Sequence, residues 1–382
     1  MQELSEIRKQ IDEIDKQLAG LFQKRLDVAK KVAESKRGTG KKVYDREREE
    51  EKLLDLGKYA RNRFEQQAIR ELFLQTMSIS RKLQYQILGD DGNGEKPELF
   101  VRKSVMEKKG KKVACYGVPG SHTEHAMEEF FGQEVERFHE TSFRAVMERI
   151  ASREADFGVL PIENSSTGSI SDVYDLLKEY DHYIVGEHIL KIEQSLVALP
   201  GTKLSDIKRV FSHPQGILQC RKFLKEHSWM EPVEYKSTAE SAEKVKKDMD
   251  KTQAAIAGAR TASMYGLDVL VKNANFADNN ATRFIIVTNQ KMYYEDADKV
   301  SICFEIPHEK GSLYNILSHI IFNNLNMTGI ESRPLEGKSW EYRFFVDFEG
   351  NLSDPAVHNT LNGIREEVSE LKILGNFKAY QG

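Results

Sequence analysis

The sequence predicts a multidomain protein: an all-α N-terminal domain, an α/β central domain and an α+β, ferredoxin-like C-terminal domain. Three observations lead there. At 382 residues the chain exceeds what one ordinary hydrophobic core organises. The N-terminal part repeats apolar side chains three and four apart, the period of a helix face. From Lys112 short β-rich runs alternate with helical ones to about Thr288, and the remainder reads strand, helix, two strands, helix, strand.

Residues 1–89 come first. Leu4, Ile7, Ile11, Ile14, Leu18 and Leu21 form the seam of a helix that packs on another helix, continuing to about Lys36, where RGTGKK interrupts it. Further helices are expected over Asp45 to about Leu56 and about Arg63 to Leu88. The stretch LGDDGNGEKPELF is polar and rich in turn formers and reads as a linker, extended by VRKSVMEKKGK to cover 90–111.

Polar residues stand against that seam. Arg25 and Lys36 are eleven residues apart, which returns them to nearly one face about 16 Å apart, close enough to fold over a small anion. Arg8 and Arg25 are seventeen apart, about 25 Å along one helix, so a site using both takes Arg8 from a partner chain. Asp45, Arg48 and Glu49 share a face, as do Ser80 and Gln84. Taken singly, these residues are what any solvated helix offers. Taken together, IRKQIDEIDKQL, KRLDVAKKVAESK, VYDREREE and SISRKLQ resemble the all-helical class of chorismate mutases over the whole segment. The resemblance implies an intertwined dimer whose site uses Arg8, Arg25, Lys36, Asp45, Arg48, Glu49, Ser80 and Gln84. Chorismate rearranges to prephenate without nucleophile or proton transfer, so a site need only hold the compact dicarboxylate and stabilise charge on the ether oxygen. Arg8, Arg25 and Arg48 suit the carboxylates. Lys36 and Gln84 would donate to the ether oxygen and Glu49 accept from the substrate hydroxyl, with Asp45 and Ser80 in support.

Residues 112–289 carry five motifs. GVPGSHTEHA (117–126) is a glycine-bracketed turn opening a helix, able to cradle a carboxylate. It lacks the Lys-Ser/Thr of a phosphate loop, and His122 with His125 do not make a zinc motif. LPIENSSTGSI (160–170) runs a strand into turn formers. FSHPQGILQC (211–220) and YKSTAESA (235–242) follow, the latter holding a capping-box pattern at Ser237 and Glu240. NNATRFIIV (279–287) feeds polar residues into a buried strand. In this order the motifs resemble prephenate dehydratases, implying two α/β lobes like periplasmic binding proteins, with the site between them. Gly117-Val118-Pro119-Gly120 departs from many bacterial members and looks like the plant arogenate dehydratases, so arogenate stays an alternative substrate. The reaction expels hydroxide and carbon dioxide and needs a hold on two carboxylates and a proton donor for the hydroxyl. The resemblance points to Thr282 as the catalytic hydroxyl and Arg283 as a carboxylate ligand. Ser121, Thr123, Glu163, Asn164, Ser165 and Thr238 are the other cleft candidates.

Residues 299–382 contain HEKGSLYNIL (308–317) and NMTGIESRPL (326–335) and resemble the amino-acid-sensing ACT domain of prephenate dehydratases. That family binds phenylalanine between two such domains. Gly311, Ser312 and Leu313 at a helix start would take its carboxylate, and Glu331, Ser332 and Arg333 would shape the site.

Composition restricts the alternatives. Hydrophobic residues are 40% and charged residues 30% of the chain, with net charge −4, which steers nothing to nucleic acid or an anionic membrane. Cys115, Cys220 and Cys303 lie far apart in apolar runs, as buried free thiols do. No membrane-length apolar run and no signal-peptide pattern is present, so the expected location is the cytoplasm. The combined expectation is a mutase, a dehydratase and a phenylalanine sensor in series. It needs no metal or cofactor and forms a homodimer or dimer of dimers. Two rivals are a non-catalytic sensor and a dehydratase whose helical segment is only a dimerisation arm.

Overall fold

The computed structural model describes residues 2–39, 41–89, 100–275, 280–306, 308–335, 337 and 341–381. The chain divides into two compact units, Met1–Phe100 with Ile302–Lys372, and Val101–Ser301 with Ile373–Gly382.

The first unit begins with α1 (Gln2–Lys36), α2 (Arg46–Gly57) and α3 (Arg63–Gly89), close to the expected bounds. The Asp45 carboxylate caps α2 by accepting from the Arg48 N–H at 3.2 Å. The α1 seam is only partly used within one chain: Leu4, Ile7, Ile11, Ile14, Leu18 and Leu21 are each at least 47% exposed, whereas Ala29 and Ala33 are buried.

The second unit runs β1 (Val101–Lys103), β2 (Lys112–Tyr116), α4 (His122–Phe131), β3 (Glu136–Glu140), α5 (Phe143–Ala151), β4 (Phe157–Asn164), β5 (Gly168–Ser169), α6 (Ser171–Glu179) and β6 (Tyr183–Lys191). It continues through β7 (Ser195–Ala198), β8 (Arg209–Ser212), α7 (Pro214–Gln219), α8 (Arg221–Glu226), β9 (Glu231–Glu234), α9 (Thr238–Asp248), β10 (Gln253–Ala257), α10 (Ala259–Tyr265) and β11 (Asp268–Val271). It ends with β12 (Ala281–Thr288) and β13 (Met292–Tyr294). One lobe is the sheet β6-β12-β4-β2-β3 and the other is β11-β7-β10-β8-β9. The chain builds most of the first lobe, crosses to the second for 195–271, and returns as β12, antiparallel between β4 and β6. The run QAAIA reads as continuous apolar sequence because both faces of β10 are covered. Ala254 and Ile256 join one core with Leu196 and Val210, and Ala255 and Ala257 join another with Val197 and Phe211. The three cysteines are buried and none is in a disulfide, as expected.

One boundary differs from the sequence reading. Val101–Lys103, taken as linker, is a strand in parallel register with Met292–Tyr294. Residues 90–99 of that linker lie outside the described residues.

The chain closes with β14 (Lys299–Glu305), α11 (Ser312–Phe322), β15 (Met327–Pro334), β16 (Tyr342–Glu349), α12 (Pro355–Glu367) and β17 (Glu370–Phe377). Strand order β15-β16-β14-β17 is that of a split βαββαβ motif.

Candidate active sites

In the helical segment the structure brings together residues that sequence spacing could only align in pairs. Arg25 on α1 donates to Thr76 O at 3.0 Å and to the Ser80 hydroxyl on α3. Gln84, one turn further, is buried; its amide donates to Ser80 O at 3.2 Å, and its Oε1 is buried without a hydrogen-bond partner. An amide oriented this way is held for an incoming donor or can rotate to present its N–H. Lys36 is tied back at the end of α1, donating to Lys42 O at 2.8 Å and Val43 O at 3.1 Å. Burial lowers the proton affinity of Arg25, which Glu49 partly offsets. It does the same to Lys36, offset by Asp45, Glu366 and Glu49. Glu49 accepts from Arg81 Nη1 at 2.7 Å. Arg8 and Arg48 are exposed and stand outside this cluster of buried contacts. Arg81, which the sequence reading passed over, is 5% exposed and lies against the Tyr44 ring at 4.7 Å.

In the second unit a cleft of about 600 Å³ is lined by both lobes. Three helix starts converge on it: Ser121–Thr123 at α4, His213–Gly216 at α7 and Ser237–Glu240 at α9. The starts of α4 and α9 offer backbone N–H groups and a positive dipole end, whereas at α7 Pro214 has no N–H and Gln215 N donates to His213 Nδ1 at 3.3 Å. The GVPG turn needs its glycines: Gly117 has φ +104° and Gly120 φ +84°. Ser121 caps α4 by accepting from Glu124 N at 3.3 Å, and Glu124 accepts from Gly120 N at 2.6 Å. Burial raises the Glu124 pKa, but the bond from His139 at 3.0 Å and that Gly120 N–H outweigh it and hold the carboxyl at about 2. At α9 the Ser237 hydroxyl accepts from Glu240 N at 3.1 Å, so the expected cap forms beside Thr238 on the cleft wall.

Thr282 and Asn164 meet across the β12–β4 pairing, where they are register partners. Asn164 Oδ1 accepts from Ser166 N at 3.0 Å and Thr167 N at 3.2 Å. Two backbone donors settle which way the amide faces. Its Nδ2 therefore points at Thr282 Oγ1, 2.9 Å away. With that lone pair occupied by a donor, the threonine proton is free to be donated into the cleft.

The strand period divides the candidate set between two faces. Thr282 lines the cleft, so Arg283, its neighbour on β12, projects to the other face, where Nε lies 3.6 Å from Glu187. Arg283 is thus outside the cleft lining. Glu163, opposite Arg283 in register, is likewise outside the lining. Ser165 accepts from Ala281 N at 3.0 Å and fastens the β4 end to β12. Ser121, Thr123, Asn164, Thr238 and Thr282 do line the cleft. So do His122, Gln194, His213, Gln215, Gln219 and Lys236, none singled out from sequence. Lys236 is the one lysine or arginine among the described lining residues. His122 Nε2 is buried without a hydrogen-bond partner, and burial depresses its pKa to about 4, so the ring is neutral. The sequence signal for the second lobe was there, in SHPQ and the STA stretch. Which of their residues face inward was not.

At the C-terminal motif Gly311, in left-handed conformation with φ +84°, precedes Ser312 and Leu313 at the start of α11. Glu331, Ser332 and Arg333 lie on β15, paired with Phe345, Phe344 and Arg343.

Comparison with known proteins follows these divisions. Residues 7–85 match the family described as chorismate mutase type II, and residues 113–292 match prephenate dehydratase. A bifunctional chorismate mutase/prephenate dehydratase of Pseudomonas aeruginosa is 31% identical over 381 residues, 98% of this chain and 97% of its own. The structure of a prephenate dehydratase from Arthrobacter aurescens in complex with L-Phe aligns at 31% identity and TM-score 0.65, covering 70% of this chain and 90% of that one. A structure described as GqqA, a novel type of quorum quenching acylase, aligns at 28% identity and TM-score 0.65, covering 71% of this chain and 98% of its own. Among the described residues no helix is long and apolar enough to cross a membrane.

Proposed function

The chain belongs to the bifunctional chorismate mutase/prephenate dehydratase family. From that premise we propose that it makes phenylpyruvate from chorismate in two steps, in the cytoplasm, under inhibition by L-phenylalanine. The helical segment rearranges chorismate to prephenate. Arg25, Lys36, Glu49, Ser80 and Gln84 serve it from one chain, and the exposed α1 seam joins a second copy whose Arg8 completes the site. Arg48 and Asp45 close it from the start of α2.

The cleft converts prephenate and a proton to phenylpyruvate, water and carbon dioxide. The carbon–carboxylate bond breaks, its electron pair enters the ring, and the ring hydroxyl leaves as it is protonated. The observation that carries this reading is the Asn164–Thr282 bond, which aims a hydroxyl proton into a cleft of substrate size. Thr282 hydrogen-bonds the departing hydroxyl and relays a proton to it. With Arg283 turned away, the dianion is held by Lys236 and the N–H groups at the starts of α4 and α9, Thr123 and Thr238 among them. Such a site suits a compact dicarboxylate.

The C-terminal βαββαβ motif acts as an ACT domain. Phenylalanine, seated by Gly311, Ser312 and Leu313 against Glu331, Ser332 and Arg333, binds two states of the protein unequally. The test is to supply chorismate alone and follow products. Transient prephenate and then phenylpyruvate are expected, both slowed by phenylalanine. Untouched chorismate would reduce the helical segment to a dimerisation arm, and untouched prephenate would leave a sensor.

A further inference from the structure

Arg81 joins two carboxylates that come from opposite ends of the chain. Its guanidinium meets Glu49 on α2 at 2.7 Å and Glu367, the last residue of α12, at 3.0 Å. The side chains of Arg81 and Glu367 are 6% and 7% exposed. Glu367 also takes a bond from His319 Nε2 on α11 at 3.1 Å. The next residue, Lys82, is buried against the same helix, donating to Ser318 O at 3.0 Å and Oγ at 2.9 Å. Glu366 follows Glu367 into the cluster: its Oε2 is buried without a hydrogen-bond partner, and its charge is felt at Lys36.

A carboxylate has about four lone-pair directions; Arg81 Nη1 lies against both Glu49 oxygens, at 2.7 and 2.5 Å, and leaves the outward direction on each oxygen facing a fixed way. Glu49 is the group read above as acceptor for the substrate hydroxyl. Its orientation is set by Arg81, and that of Arg81 by Glu367. We propose that Arg81 is a positioning residue of the mutase site and that Glu367 makes the C-terminal motif part of its support. Chorismate turnover therefore depends on where α12 ends. This inference rests on the mutase reading of Glu49.

The test uses the full-length protein and a mutational cycle. Arg81→Met and Glu367→Gln are each made alone and in a Glu49→Gln background. The kcat for chorismate is divided by the dehydratase rate of the same preparation, which corrects for misfolded protein. In the wild-type background Arg81→Met is expected to lower the normalised kcat about tenfold or more, and Glu367→Gln, which keeps shape and volume, about threefold. In the Glu49→Gln background both changes cost nothing further, because there is no longer a carboxylate to position. A purely structural role costs the same in both backgrounds, and that result would overturn the proposal. So would full activity in Glu367→Gln, which stands in should Arg81→Met fail to fold. Wild-type protein that leaves chorismate untouched would remove the mutase reading itself, and Glu49→Gln with wild-type turnover would remove Glu49 from it.

Discussion

Replacing Asn164 by Asp exchanges one NH2 for an oxygen and leaves the shape of the side chain unchanged. The retained Oδ1 still accepts from Ser166 N at 3.0 Å and Thr167 N at 3.2 Å, so the turn after β4 keeps its tether. What changes is the opposite edge. The amide donates there to Thr282 Oγ1 at 2.9 Å, Asn280 Oδ1 at 3.0 Å and Ala281 O at 3.1 Å. A carboxylate oxygen in that place turns the Thr282 proton toward itself and away from the cleft, and it faces two acceptors. Losing one oriented hydrogen bond at a reacting centre costs about 1.4–3 kcal/mol, which is roughly ten- to a hundredfold in rate. The assay is phenylpyruvate formation from prephenate, with chorismate consumption by the same protein as the control, because none of the mutase residues is touched. The Asn164→Asp variant should lose dehydratase kcat by that factor and keep mutase turnover. A dehydratase kcat within about threefold of wild type would refute the orientation argument, since the donor to Thr282 would then be dispensable.

Other outcomes follow from the same geometry. Lys36→Ala should lower mutase turnover by about a hundredfold or more and leave dehydratase turnover intact, because no other side chain in the cluster offers an ammonium at that position; equal loss of both would point to misfolding. Placing aspartates at Ile11 and Ile14, 52% and 56% exposed in one chain, should yield a monomer by light scattering with mutase activity lost; a dimer that stays intact would move the interface elsewhere. Stability should fall in acid from pH 6.5 toward 4: burial lowers the His122 pKa from 6.5 to about 4, so the unfolded chain takes the proton first and is favoured as pH drops through that window. Melting temperatures of wild type and His122→Phe over pH 4–7 check this, and an unchanged slope in the variant would place His122 in solvent. Below pH 4.5 Glu124, held at about 2, adds a loss of the same sign, which Glu124→Gln should remove.

Much of the molecule was legible before its structure. Helix bounds followed from the apolar period and its interruptions, because that seam is a local property of sequence. The α/β alternation and the βαββαβ ending followed from the same kind of pattern. The grouping of Arg25 with Ser80, and of Thr282 with Asn164, came from resemblance, since nothing in spacing brings residues 55 or more positions apart together, and the contacts themselves came from the fold. The tertiary structure decided the rest. Strand alternation says that Thr282 and Arg283 face opposite ways, but which of them faces the cleft depends on the register of β12 between β4 and β6. The inward-facing His122 and Lys236 depend on how two lobes built from distant segments meet. Arg81 looked like one more charge on a helix face; it became a buried bridge only when α12, nearly three hundred residues later, supplied Glu367. Local periodicity is written into neighbouring residues, whereas a buried ion pair is chosen by the fold that removes water from it.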